Sequence, residues 1–152
     1  MSIFNIRLAK KSDFGYITEC LGLNDGIKVK NIFDKCLQNP NCHPLFIAEV
    51  DGKKKGIACC NVIHTLEMGC ETLSISNLVV NKEDRGKGIG TKFIKSLCDY
   101  AKENDISALE VITPPPTDDM FKEKIKFFEK LGFFDVGPGY FNYFDKEVCR
   151  YE

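Results

Sequence analysis

The sequence predicts an α/β fold: a central mixed β-sheet of six to seven strands flanked by about four helices, in a single domain of residues 1–152. Three observations lead there. Short apolar runs, bounded by Gly, Pro and Asn-Asp turn signals, have the length and alternation of strands. Other segments repeat apolar residues every three to four positions, the period of a helix with one buried face. The two kinds interleave as β-α-α-β-β-β-α-β-α-β-β, the order of a sheet covered by helices.

The opening run from Ile3 to Leu8 alternates as a first strand. Ser12-Asp13 starts a helix with Phe14, Ile17 and Leu21 on one face, and Gly22 with Asn24-Asp-Gly26 breaks it. Val29, Phe33, Cys36 and Leu37 mark a second helix, which Asn39-Pro40 stops. Leu45 to Val50 and Gly56 to His64 read as antiparallel partners, because Asp51-Gly52 between them is a preferred tight hairpin turn. Thr72 to Val80 is the next strand and runs into the loop from Asn81 to Gly90. Phe93, Ile94, Leu97, Cys98 and Ala101 then form the apolar stripe of a third helix. Ala108 to Thr113 is a strand ended by Pro114-Pro-Pro116. Thr117 and Asp118 suit the N-cap of a helix carrying Phe121, Ile125, Phe128 and Leu131, which Gly132 stops. Phe133 to Val136 and Tyr140 to Phe144 make a last strand pair around Gly137-Pro-Gly139. The strands on either side of the third helix are expected to pair parallel, since a helical crossover returns the chain in the same direction.

Composition narrows the function classes. Apolar residues at 43% and charged residues at 28% are globular values. Lys and Arg (21) nearly balance Asp and Glu (22), leaving a net charge of −1. Such a surface has no electrostatic reason to grip a nucleic-acid backbone or an anionic membrane. No apolar run reaches the ~20 residues of a membrane helix, and the N-terminal residues lack the pattern of a signal peptide. The expectation is a cytoplasmic monomer or homodimer with no nucleic-acid or membrane partner. None of the eight cysteines forms a C-x-x-C pair, and His43 and His64 are not placed like zinc ligands. No metal is therefore expected, and the cysteines are assigned to packing, where a free thiol behaves as a small hydrophobe.

Arg85-Gly-Lys-Gly-Ile-Gly90 lies between a strand and a helix. That junction presents unpaired backbone N–H groups and the positive end of the helix dipole. Glycines let this backbone come close to a ligand, so the loop suits an anion, a pyrophosphate above all. It lacks the Walker run G-x-x-x-x-G-K-[S/T]. It also fails the dinucleotide pattern G-x-G-x-x-G, whose third glycine falls on Thr91 or Phe93. The plainer alternative is a tight turn in which glycine serves geometry alone.

The stretch from Asn77 to Thr91 resembles the acetyl-CoA signature of GNAT-type N-acyltransferases: an apolar strand, then [R/Q]-x-x-G-x-[G/A], met by Arg85, Gly88 and Gly90. A second block, Phe127-Phe-Glu-Lys-Leu-Gly-Phe133, is similar to the helix-ending phrase of the same family, and the element order resembles the family from about Ile3 to Phe144. The resemblance implies an acetyl-CoA-dependent N-acetyltransferase acting on a primary amine of a small molecule or peptide, by direct attack in a ternary complex. It implies that the amides of Arg85, Gly86, Lys87, Gly88, Ile89, Gly90 and Thr91 hold the cofactor's pyrophosphate. Pantetheine would pair along Leu78, Val79 and Val80 like an added strand. The amide of Leu78 would hydrogen-bond the thioester carbonyl and stabilise its oxyanion, a contribution of a few kcal/mol.

An ammonium substrate must lose a proton before it attacks. Glu110 is the candidate base, at a position similar to an acid that faces the cleft in some sugar-phosphate-acetylating relatives. Many members carry an acid on the strand before the loop, where this chain has Ser76 and then Asn77. The family's usual general acid is a tyrosine at the position of Phe128, which is assigned to the cofactor site; Tyr140 and Tyr143 are nearby in sequence and Tyr140 is the candidate substitute. Cys59, Cys60 and Cys98 have no role as nucleophiles in direct transfer. The acceptor pocket is expected from residues 22–38 and 137–143. The competing function is a CoA-binding module with weak or no transferase activity, and a screen of amines with thiol release as readout separates the two.

Overall fold

The alternating residues at the start become strand β1 (Phe4–Leu8), and Asp13, buried just beyond it, folds the chain into α1 (Phe14–Leu21). Helix α2 (Ile27–Gln38) follows, then β2 (Leu45–Val50), β3 (Lys53–Thr65), β4 (Cys70–Val80), α3 (Ile89–Glu103), β5 (Ala108–Val111) and α4 (Phe121–Lys130). This computed structural model describes residues 1–114 and 116–137. It divides into two units, Met1–Ile112 and a second that begins at Thr113.

In the first unit the five strands form one sheet in the order β1-β2-β3-β4-β5. The first three pairings are antiparallel and β4 with β5 is parallel, as the helical crossover α3 requires. Asp51 and Gly52 make the expected hairpin turn with φ of 50° and 75°, the left-handed pair whose twist suits the flanking strands. At Gly56 there is no room for a side chain: an added Cβ would stand 2.5 Å from the Val79 carbonyl oxygen. Helices α1 and α2 cover one face, with Ile17 and Phe33 packed over Leu45, Ile47, Ile57, Cys59 and Val79. Residues alternate between faces along a strand, so Phe46 points the other way, where its ring meets Tyr100 of α3 at 4.8 Å; Phe93 of α3 meets Phe4 at 6.5 Å. The predicted α3 stripe is inside, with Phe93, Ile94, Leu97 and Ala101 buried and Cys98 partly so.

The entry to α1 is a charge cluster. Asp13 accepts from Arg7 (2.8 and 3.1 Å), from the Lys10 N–H (2.8 Å) and pairs with Lys54 (2.7 Å), while Arg7 also bonds Glu49. The Arg7 guanidinium holds the Asp13 carboxyl well below its ordinary range, overcoming the opposing effect of burial.

In the second unit, α4 starts at Phe121, later than Thr117 or Asp118 would place it. Asp118 works one turn upstream instead: its carboxylate accepts from the Met120 N–H (2.7 Å) and its carbonyl from the Phe121 N–H (3.0 Å). Gly132, at φ 90°, ends the helix as expected. Phe133–Val136 is not a strand here, because the described backbone gives it no ladder; its expected partner, 140–144, lies outside the described residues. The sheet thus has five described strands where six to seven were expected. Among the described residues no helix is long and apolar enough to cross a membrane.

Candidate active site

Strand β4 is paired on both sides only along its first half. Its ladder with β5 ends at Ile75 opposite Val111, followed by one bond from the Ile112 N–H to the Ile75 carbonyl (2.9 Å). From there β4 continues to Val80 beside β3 alone. The divergence begins at Ser76: Cys59 pairs with Asn77 and Cys60 with Ile75, so Ser76 is the extra residue of a bulge. Its hydroxyl donates to the Cys59 carbonyl at 3.0 Å. The bulge decides which amides are free. Asn81 N–H bonds the Lys55 carbonyl (2.9 Å), and antiparallel pairs bond alternately, so Val79 and Asn77 also face β3. The N–H and C=O of Leu78 and Val80 therefore face the open edge, where Arg85 Nε donates to the Val80 carbonyl (3.1 Å).

The open edge leads into the glycine loop. A short 3-10 turn, Lys82–Asp84, is followed by Gly86 at φ 75° and by Gly88 at φ 80°, the N-cap of α3. Lys92 N–H is the first to bond back into the turn, reaching the Gly88 carbonyl (3.1 Å), so the amides of Ile89, Gly90 and Thr91 have no partner one turn earlier. A Cβ at Gly86 or Gly88 would meet no protein atom within 4 Å. The loop presents bare backbone with Arg85 and Lys87 exposed beside it, a donor set that fits a diphosphate.

Behind the loop sits a network that its sequence does not announce. Asp84 is buried and accepts from Lys55 Nζ (3.0 and 3.2 Å) and Asn81 Nδ2 (3.5 Å), with Lys87 Nζ at 3.6 Å. Lys55 holds the Asp84 carboxyl below its ordinary range. Asn81 also donates to the Lys54 carbonyl (3.0 Å) and accepts from the Tyr16 hydroxyl (2.6 Å). These residues come from α1, the start of β3 and the loop before α3, and only the fold brings them together.

Glu110 is half-buried on β5 and stands in register with Ser74, which pairs with Asn61. Register partners share a face, so Glu110 projects on the side covered by α1 and α2, as Asn77 and Cys59 do. Phe128 belongs to the second unit, where its ring packs against Phe127 (5.2 Å) and Phe133 (5.6 Å). Tyr140 and Tyr143 lie outside the described residues, as does most of the 137–143 segment expected at the acceptor pocket. Seven cysteines are described, all free. Burial pushes Cys59 up to about 12 and raises Cys60 further, which suppresses the thiolate needed for nucleophilic attack. Among the described residues no group of three His, Cys, Asp or Glu side chains could hold a metal ion.

Comparison with known proteins agrees with this geometry. Residues 14–133 match the family model described as the acetyltransferase (GNAT) family. An uncharacterized N-acetyltransferase of Methanocaldococcus jannaschii is 36% identical over 90 residues, 58% of this chain and 38% of that protein. The match therefore spans well under half of the relative's length. A transcriptional regulator from Bacillus halodurans superposes with a TM-score of 0.79 at 19% identity, covering 93% of this chain and 100% of that one. Glucosamine-6-phosphate N-acetyltransferase from Arabidopsis thaliana does so with a TM-score of 0.72 at 23% identity, over 94% and 99%. Both structures share the fold with this chain.

Proposed function

Because the chain belongs to the GNAT acetyltransferase family, we propose that it transfers an acetyl group from acetyl-CoA to a primary amine of a small molecule or peptide, by direct attack in a ternary complex. The observation that carries this reading is the open half of β4 running straight into an unobstructed glycine loop. When bound, acetyl-CoA supplies the activated acetyl thioester. Arg85, Gly86, Lys87, Gly88, Ile89, Gly90 and Thr91 would hold its diphosphate through backbone amides, and Leu78, Val79 and Val80 would receive its extended arm along the free edge. The Leu78 N–H is the donor for the acyl carbonyl oxygen, where negative charge gathers. Glu110 takes the proton of the incoming ammonium, directly or through one water. Phe128 contributes apolar surface, and Tyr140 would be the group that can protonate the leaving sulfur, a step the low basicity of a thiolate makes dispensable. The family match crosses the boundary between the two units, which supports treating residues 1–152 as one catalytic domain.

Gly88→Val puts a branched side chain in the cradle and strains a φ of 80°. Calorimetry on the folded variant should show acetyl-CoA affinity lost while the wild type binds. Equal affinity would remove the cofactor from this loop. A panel of amines, read by thiol release, then finds the acceptor class.

A further inference from the structure

Resting on that reading, we infer that Tyr16, Asn81, Asp84 and Lys55 form a clamp behind the glycine loop, with Asp84 a positioning residue that holds the Gly86–Gly90 backbone in its binding shape. Apart from Arg85 Nε on the Val80 carbonyl, the loop lies exposed. Arg85, Gly86, Lys87 and Gly88 are all exposed, and both glycines have left-handed dihedrals that impose no preference of their own. What fixes its approach is Asn81, which closes three connections at once: backbone N–H to Lys55, side-chain N–H to Lys54, and carbonyl oxygen from Tyr16. Asp84 adds the second anchor. Its N–H bonds the Asn81 carbonyl (2.9 Å), and its carboxylate holds Lys55. Tyr16 is fixed in turn by Lys54, whose ammonium lies 5.4 Å from its ring centre and pairs with Asp13. The path thus runs from the start of α1, through the β2–β3 hairpin, to the turn before α3.

A buried carboxylate beside an anion cradle is otherwise an error of sign. By charge alone Asp84 repels a diphosphate and draws Lys87 away from it, at 3.6 Å. Its removal should then tighten binding. A positioning role demands the opposite, because the amides must converge before the ligand arrives. The two accounts differ in sign, and that makes the question decidable.

The experiment measures acetyl-CoA dissociation constants by calorimetry, at one fixed ionic strength, for wild type, Asp84→Asn and Tyr16→Phe. The clamp predicts weaker binding in both. The loss is about threefold to tenfold for Tyr16→Phe, the worth of one net hydrogen bond, and about tenfold or more for the charged anchor. At saturating acetyl-CoA, kcat should stay within about twofold, since only uniform binding has been lost. Hydrogen exchange of the unliganded proteins should show faster exchange at amides 86–91 in both variants and unchanged protection in β2 and β3. Tighter or equal binding in either variant, with the wild type binding, overturns the clamp. Should Asp84→Asn fail to fold, Tyr16→Phe decides alone. A wild type that does not bind acetyl-CoA overturns the cofactor reading instead, and the exchange of the unliganded loop in Tyr16→Phe then decides the clamp by itself.

Discussion

Glu110, the proposed base, is half-buried on the face shared with Asn77 and Cys59, on the strand next to the one that carries Leu78. Glu110→Gln keeps its size and removes its basicity, so turnover should fall by about 10²–10⁴ at neutral pH. The loss should shrink at high pH, where the amine is already deprotonated; a wild-type rate at every pH would clear Glu110 of the role. Phe128 raises the complementary question of the acid. A thiol ionises near ~8.5 and an alkylammonium near ~10.4, so sulfur leaves more readily than the attacking amine and has little need of a proton. Phe128→Tyr should therefore change kcat by less than about tenfold, and Tyr140→Phe and Tyr143→Phe should each be mild. A loss of about a hundredfold in either tyrosine variant, with acetyl-CoA affinity intact, would identify a working acid. The proposed cofactor loop is read from short-range spacing, since Arg85, Gly88 and Gly90 follow an apolar strand at fixed intervals. Asp84 was not legible. Nothing in its local sequence marks it as buried, because its partner Lys55 comes from the start of β3, 29 residues earlier in the chain.

Elements were predicted well wherever local signals and tertiary packing agreed. Asp51-Gly52, the α3 stripe and the parallel β4–β5 pair each follow from chemistry confined to a few residues. The misplaced start of α4 shows the limit. Thr117 and Asp118 are both good caps, and the choice of Asp118 to close a turn before the helix depends on geometry that composition does not hold. Nothing in the strand's own sequence places a bulge at Ser76, since a one-residue excess in β4 exists only relative to its partner. Gly56 gives the test at this scale. A methyl there would press on the Val79 carbonyl at 2.5 Å and force β3 away from the half of β4 that carries Leu78. Gly56→Ala should cost ~2 kcal/mol, or about 4–8 °C in Tm. An unchanged melt would mean that the two strands yield without penalty.

At the scale of the whole molecule, the cluster of Asp13, Arg7 and Lys54 ties β1, α1 and the β2–β3 hairpin into one charge network. The Asp13 carboxyl is depressed in the folded state from its ordinary value of 3.8. Its contribution is therefore complete above that value and fades as pH falls toward the folded one. At pH 7, Asp13→Asn should cost about 3 kcal/mol, the low end for breaking a buried pair, because Arg7 and Lys54 keep some contact with water. Urea unfolding at pH 7 and pH 3 checks the sign: the gap between wild type and variant should narrow in acid. A gap of equal size at both would place the effect in packing. The strand order has a consequence of its own. Spatial order matches chain order from β1 to β5, so as synthesis proceeds each new strand leaves the ribosome beside a neighbour that is already made. Antiparallel pairing through β4 needs nothing still inside the exit tunnel, and α3 has only to swing β5 onto the growing edge. β5 is then the last strand of the first unit to join, and because its ladder stops at Ile75 opposite Val111 it leaves the far half of β4 as a permanent open edge of the finished sheet.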